Sequence, residues 1–287
     1  VSAILAPSRR ELVRTAARRS LRRRHVMGRV FQGLCVVAMV AAVAPLVALV
    51  YYTVTRGVST LSWAFLTHAP TPPFIPGGGI STAITGTAEI VGLAIVLAIP
   101  TSLLAALFLF ERSGKLAAAL RFSADVLTGV PSIIIGIFAY AVLVLPLHQF
   151  STLAAAFALA VLMLPIMIRA DEEAMRTIAL DLWEAGIALG ARRGRVARSV
   201  VLRGALPDLV TGNLLAIARA AGETAPLLFT LATPLAAMTL LIYTDGTQAF
   251  PSAQRTAWAT ALVLLSFVLL LSVAARLVAW RISRRAH

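Results

Sequence analysis

DLWEAGIALGARRGRVARSVVLRGALPDLVTGNLLAIARAAGETAPLLFT, residues 181–230, is the stretch on which the fold turns. It opens charged and rich in arginine, then passes into an apolar segment long enough to enter a bilayer. That apolar segment carries Arg219 and Glu223. A charged surface joined to membrane-embedded charges describes a device that takes force on one side and gates a path on the other.

The rest of the chain agrees with a membrane setting. Of 287 residues, 59% are hydrophobic and 13% charged, against about 45–50% and about 25% in soluble domains. Uncharged runs of this length make an all-α, polytopic membrane protein. One cysteine, Cys35, excludes an intrachain disulfide. No Gly-x-x-x-x-Gly-Lys-Ser/Thr phosphate loop occurs, so ATP is not bound in that manner here. No metal or cofactor is implied; His148 lacks a second metal-type residue nearby and reads as a loop residue.

Six spans follow from the apolar runs. Residues 30–55 make the first; residues 56–84, with Pro70, Pro72, Pro73, Pro76 and Gly77-Gly78-Gly79, read as an external loop. Residues 85–110 make the second, with Glu89 near its outer end. Residues 126–168 are uncharged throughout, too long for one crossing. The chain therefore turns at Pro146-Leu147-His148-Gln149, giving spans at 122–145 and 151–168. The fifth covers 207–232 and the sixth 256–275.

Charge sets the orientation. The formal net charge is +14, and every one of the 26 basic residues except Arg56, Arg219 and Arg255 falls in a segment assigned to the inside. By the positive-inside rule both termini are cytoplasmic, in a multi-pass cell (inner) membrane protein. The basic balance then needs no nucleic acid to explain it. Residues 1–29 form a basic tail that fixes topology and touches anionic headgroups, or else binds a regulatory partner. Residues 30–282 are the membrane domain, with an inner loop at 169–206, and 283–287 a short tail.

Within the inner loop, Asp181 and Glu184 have the spacing of an N-terminal capping pair. Leu182, Ala185, Gly186 and Leu189 give a short apolar face, and Gly190 a left-handed C-terminal cap. A helix this short is marginal alone. It packs either on its own bundle or in the groove of a cytoplasmic partner. Glu184-Ala185-Gly186, Gly190 and Val200-Val201-Leu202 resemble the EAA loop of ABC-importer permeases, a type I permease fold whose loop docks on the ATPase. The sequence departs from that pattern at Gly186 for Ala, Val200 for Ile and Arg203 for Pro; Pro207 is placed to supply the missing helix break.

If the fifth span starts at Pro207, Arg219 lies about 18 Å deep, and Glu223 follows on the same helical face. Charges at that depth face a bundle interior or a water-filled path. They either gate a route for an ion or tie helices together as a salt bridge. Arg219-Ala220-Ala221-Gly222-Glu223-Thr224-Ala225-Pro226 resembles the RAxGETAP signature of PstA-type phosphate permeases. Gly77-Gly78-Gly79-Ile80, Gly129-Val130-Pro131-Ser132-Ile133-Ile134-Ile135-Gly136 and Leu164-Pro165-Ile166-Met167-Ile168-Arg169 are similar to the same family. The resemblance implies a non-enzymatic transport subunit of an ATP-driven phosphate importer. Its implied partners are a PstC-type permease, a PstB-type ATPase dimer and a PstS-type binding protein. It assigns translocation to Arg219, Glu223 and Thr224, and ATPase coupling to Glu184, Ala185, Gly186 and Gly190. A permease for molybdate or sulfate, or an ion-gradient-driven transporter, is the alternative.

Overall fold

The computed structural model describes residues 9–71, 78–178, 180–233 and 236–286, which are helical or irregular with no strand among them. The chain divides into two compact units, Val1–Val54 and Thr55–His287. The first is occupied by α1 (Arg9–Gly57), a helix that carries Pro45 and is uncharged from Val30 to Thr55. Its window Met27–Thr60 is long and apolar enough to cross a membrane.

The second unit contains α2 (Trp63–Thr67), α3 (Ser81–Glu111), α4 (Lys115–Thr128), α5 (Ser132–Leu147) and α6 (Thr152–Arg176). Next come α7 (Leu180–Ala188), α8 (Arg193–Ala221, with a π-helical turn over Ala197–Val201), α9 (Ala225–Thr230), α10 (Met238–Gly246) and α11 (Pro251–Ala286). Helices α3, α6, α8 and α11 each contain a stretch long and apolar enough to cross a membrane. Helices α4 and α5 do so only as a bent pair, which gives five such helices among the described residues, or six spans if the pair counts as one, against the six apolar runs of the sequence.

Three boundaries differ from the sequence reading. The third span is broken, not continuous: α4 and α5 meet at a 106° bend. Pro131 is the cause, since it lacks an amide hydrogen and forces Val130 out of the helical region. The fourth span runs to Arg176, because Arg169, Glu172 and Arg176 sit on one helix and satisfy one another there. The fifth helix begins at Arg193 and runs through Pro207, so neither Arg203 nor Pro207 breaks it; it ends at Ala221, well before residue 232. The turn at Pro146–Gln149 is present, with His148 left-handed at φ 51° and Ser151 capping α6 through its hydroxyl. Pro72, Pro73, Pro76 and Gly77 lie outside the described residues.

Helix α6 is the axis of the second unit. It packs against α3, α4, α5, α8 and α9, and its buried face is largely alanine with Leu159, Met163 and Met167. Ala94 and Ala98 of α3 and Ala216 and Ala220 of α8 meet that face. Between helices in lipid the apolar effect supplies little, so small residues that let backbones approach supply the packing.

Candidate functional site

Three of the sequence stretches singled out above converge on one cavity. It has a volume of about 150 Å³ and is lined by Thr128, Pro131 and Ser132 near the α4–α5 bend, Ile166 of α6, and Arg219 and Glu223. The lining sequence thus draws on the Gly129–Gly136, Leu164–Arg169 and Arg219–Pro226 runs.

Each wall has a local cause. On one side α4 stops at Thr128, and α5 restarts at Ser132 behind Pro131, which is extended at ψ 135°. The first turn of a helix leaves amide hydrogens without intrahelical partners and a positive dipole end. Pro131 and Ser132 of that turn line the cavity. On the other side α8 stops at Ala221; the amides of Gly222 and Glu223 donate to the carbonyls of Arg219 (3.1 Å) and Ala220 (3.1 Å). Thr224 then starts α9, with Pro226 in its first turn, where a missing amide hydrogen costs nothing.

Because α8 ends before Glu223, the expected helical pairing of Arg219 with Glu223 is absent. Both line the cavity, Arg219 exposed and Glu223 half-buried, and the ion pairs among the described residues do not include either. The pair is therefore not a salt bridge holding helices together. Thr224 is half-buried at the start of α9, adjacent to the cavity in sequence but not among its lining residues.

The ion pairs that do exist lie elsewhere. Glu172 of α6, nearly buried, accepts from Arg121 Nε of α4 (2.7 Å), from Arg176 (2.9 Å) and from Arg169 (3.4 Å). Arg121 also donates to the Leu109 carbonyl at the end of α3 (2.8 Å), and Arg169 holds Asp125 of α4 through its Nε (2.8 Å). One residue earlier, Asp171 is fully buried and accepts from Ser102 Oγ of α3 (2.8 Å) and Asn213 Nδ2 of α8 (2.6 Å). Sequence reasoning missed Asp171 and Glu172, along with Ser132 as a cavity hydroxyl. Adjacent acids on a helix that begins with sixteen uncharged residues after Thr152 were the available signal for the first two.

The inner loop forms the expected short helix, with one correction. Helix α7 starts at Leu180, so Asp181 sits inside its first turn and is not the capping residue; its side chain lies outside the described residues. At the other end Gly190 is left-handed, φ 82°. Its amide donates to the Ile187 carbonyl (2.9 Å), and that of Ala191 to Gly186 (3.2 Å), the Schellman pattern. Trp183 packs edge-on against Phe110 of α3 at 5.4 Å. Gly186 faces inward too: a Cβ there would stand 2.9 Å from Val196 Cγ1, which accounts for glycine in place of alanine. Leu182, Glu184, Ala185, Leu189 and Gly190 are exposed. One face of α7 thus rests on its own bundle, and the opposite face stays open.

Residues 98–284 match the family described as the binding-protein-dependent transport system inner membrane component. The chain is 37% identical to the phosphate transport system permease protein PstA of Yersinia pestis, over 81% of this chain and 83% of that one. It is 34% identical to the phosphate transport system permease protein PstA 1 of Mycobacterium tuberculosis (strain ATCC 25618 / H37Rv), over 92% of this chain and 91% of that one. A chain of the MetNI methionine ABC transporter in an inward-facing conformation superposes with a TM-score of 0.62 at 21% identity, covering 70% of this chain and 96% of that one; this is a likeness of fold.

Proposed function

The chain belongs to the binding-protein-dependent transport system inner membrane components, and from that premise we propose that it is the PstA-type permease subunit of an ATP-driven phosphate importer. A permease of this class acts in a complex with an ATPase and a substrate-binding protein. Here those partners are a PstB-type ATPase dimer, a PstS-type binding protein and a PstC-type permease that supplies the other half of the pathway. Residues 30–282 are the permease domain, with both termini in the cytoplasm, as the distribution of arginine supports.

The observation that carries this reading is the cavity at Arg219, whose guanidinium makes no ion pair with Glu223 in the same wall and shares the cavity with Thr128, Ser132 and a helix start. An unneutralised guanidinium at membrane depth is costly unless an anion or water meets it. Phosphate passing the cavity takes hydrogen bonds from Arg219 and Ser132, while Glu223 opposes its resting there and so favours release. Thr224 follows Glu223 at the start of α9, where its carbonyl accepts the Leu227 amide (3.1 Å), and acts with Arg219 and Glu223 in gating. On the loop side, Glu184, Ala185, Gly186 and Gly190 form the helix that transmits ATPase closure, a role supported by its open outer face.

Uptake of labelled phosphate into vesicles tests the proposal, with and without the ATPase and ATP on its side of the membrane. ATP-dependent accumulation that excess molybdate and sulfate do not suppress is the expected result. Accumulation of molybdate or sulfate in place of phosphate, or uptake driven by an ion gradient without the ATPase, would overturn it.

A further inference from the structure

At the end of α8 remote from the Arg219 cavity, Arg192, Arg195, Arg198 and Arg203 line an open groove of about 510 Å³ together with Gly194 and Ser199. All four arginines are exposed. Among the described residues none of them has a carboxylate within ion-pair distance, whereas Arg121, Arg169 and Arg176 each have one. Arg195 and Arg198 stand one helical turn apart, a spacing at which like charges destabilise a helix unless something neutralises them. Ser199 Oγ donates to the Arg195 carbonyl (2.6 Å), so its hydrogen is committed to the helix and the groove presents cationic donors. A Cβ on Gly194 would meet nothing within 4 Å, which leaves that wall open to a ligand.

Guanidinium forks match paired phosphoryl oxygens in geometry and charge. The groove also sits at the start of a helix apolar enough to cross a membrane, where basic clusters meet headgroups. We infer that this groove is a binding site for a phosphoryl anion, held by the guanidinium groups of Arg192, Arg195, Arg198 and Arg203. The phosphodiester of an anionic lipid and free inorganic phosphate share the chemistry it would recognise. The site is separate from the transport cavity and does not depend on the phosphate-import reading.

The test uses the assembled transporter in two arms, comparing the native chain with Arg195→Gln/Arg198→Gln/Arg203→Gln. In the first, native mass spectrometry counts phosphatidylglycerol against phosphatidylcholine retained from mixed vesicles. In the second, calorimetry with inorganic phosphate is run on an Arg219→Gln background, so that the transport cavity does not contribute. Loss of the phosphatidylglycerol preference by about tenfold in the triple variant assigns a lipid site; a comparable loss of phosphate binding assigns a soluble one. If the triple variant does not assemble, the triple Arg→Lys variant keeps the charge and loses the forks, and a several-fold weakening in the same arm is expected. Unchanged binding in both arms overturns the inference, as does loss of ATPase association with anion binding intact, which would make the groove a protein-docking face.

Discussion

Gly136 of α5 lies directly against Pro226 of α9: a Cβ added to Gly136 would stand 2.7 Å from the proline Cα and 3.2 Å from its carbonyl oxygen. Two stretches ninety residues apart in the chain are therefore in backbone contact, beside the cavity both help to line. Gly136→Ala forces α5 and α9 apart, with an overpacking cost of about 1–3 kcal/mol. Gly92→Ala is the control, since a Cβ there meets nothing within 4 Å and alanine is the better helix former. Thermal unfolding of the purified assembly should fall for the first variant and hold or rise for the second.

Arg219→Gln should abolish transport while the complex assembles and melts as before. The reason is the absence of an internal partner: no carboxylate is orphaned when the charge is removed. Loss of assembly would instead make Arg219 a structural residue. Glu223→Gln should retain substrate binding and slow its release, seen as a lowered turnover of uptake with an unchanged or lower half-saturation concentration.

Glu172 gathers arginines of unequal exposure, and their removal should be felt unequally. Arg121, 25% exposed, also satisfies the Leu109 carbonyl. Arg121→Met leaves Glu172 short of its closest donor and should cost about 1–3 kcal/mol. Arg176, 53% exposed, is screened by solvent, and Arg176→Gln should cost about 1 kcal/mol or less. Denaturation of the two variants side by side ranks them; equal losses would show that the network acts as one unit.

The spans were legible in the sequence because the bilayer imposes length and disfavours charge; five of the apolar runs contain a helix long enough to cross, and the run at 122–145 contains a bent pair. Breaks inside spans were not legible in the same way. The run from residue 126 to 168 contains Pro131, but also Pro146 and Pro165, and hydropathy does not distinguish them. Pro131 opens a sharp bend inside a span, because Gly129 ends α4 just before it; Pro146 stands at the turn into α6, and Pro165 is accommodated within α6. Likewise Arg219 and Glu223 read as one helical face until Gly222 and Pro226 are seen to end one helix and start another. Gly190 was readable from sequence because a glycine just past the last apolar position of a short helix is the usual left-handed cap. Asp171 was not, since its partners Ser102 and Asn213 come from two other helices.

Gly190 offers the sharpest separation of coupling from folding. Its φ of 82° is natural to glycine and closed to proline, whose ring fixes φ near about −65°. Gly190→Pro removes both the left-handed turn and the amide that donates to Ile187 (2.9 Å), so the end of α7 unwinds. Gly190→Ala keeps that amide and costs roughly 1 kcal/mol of strain. Nothing else presses on this position, as a Cβ there meets no atom within 4 Å, and α7 meets Phe110 and Val196 through its earlier residues Trp183 and Gly186. The membrane bundle should therefore stay intact in both variants. Stimulation of the ATPase by loaded binding protein should be lost in Gly190→Pro and only reduced in Gly190→Ala. Full stimulation in Gly190→Pro would remove α7 from the coupling path, whatever the outcome at Arg219.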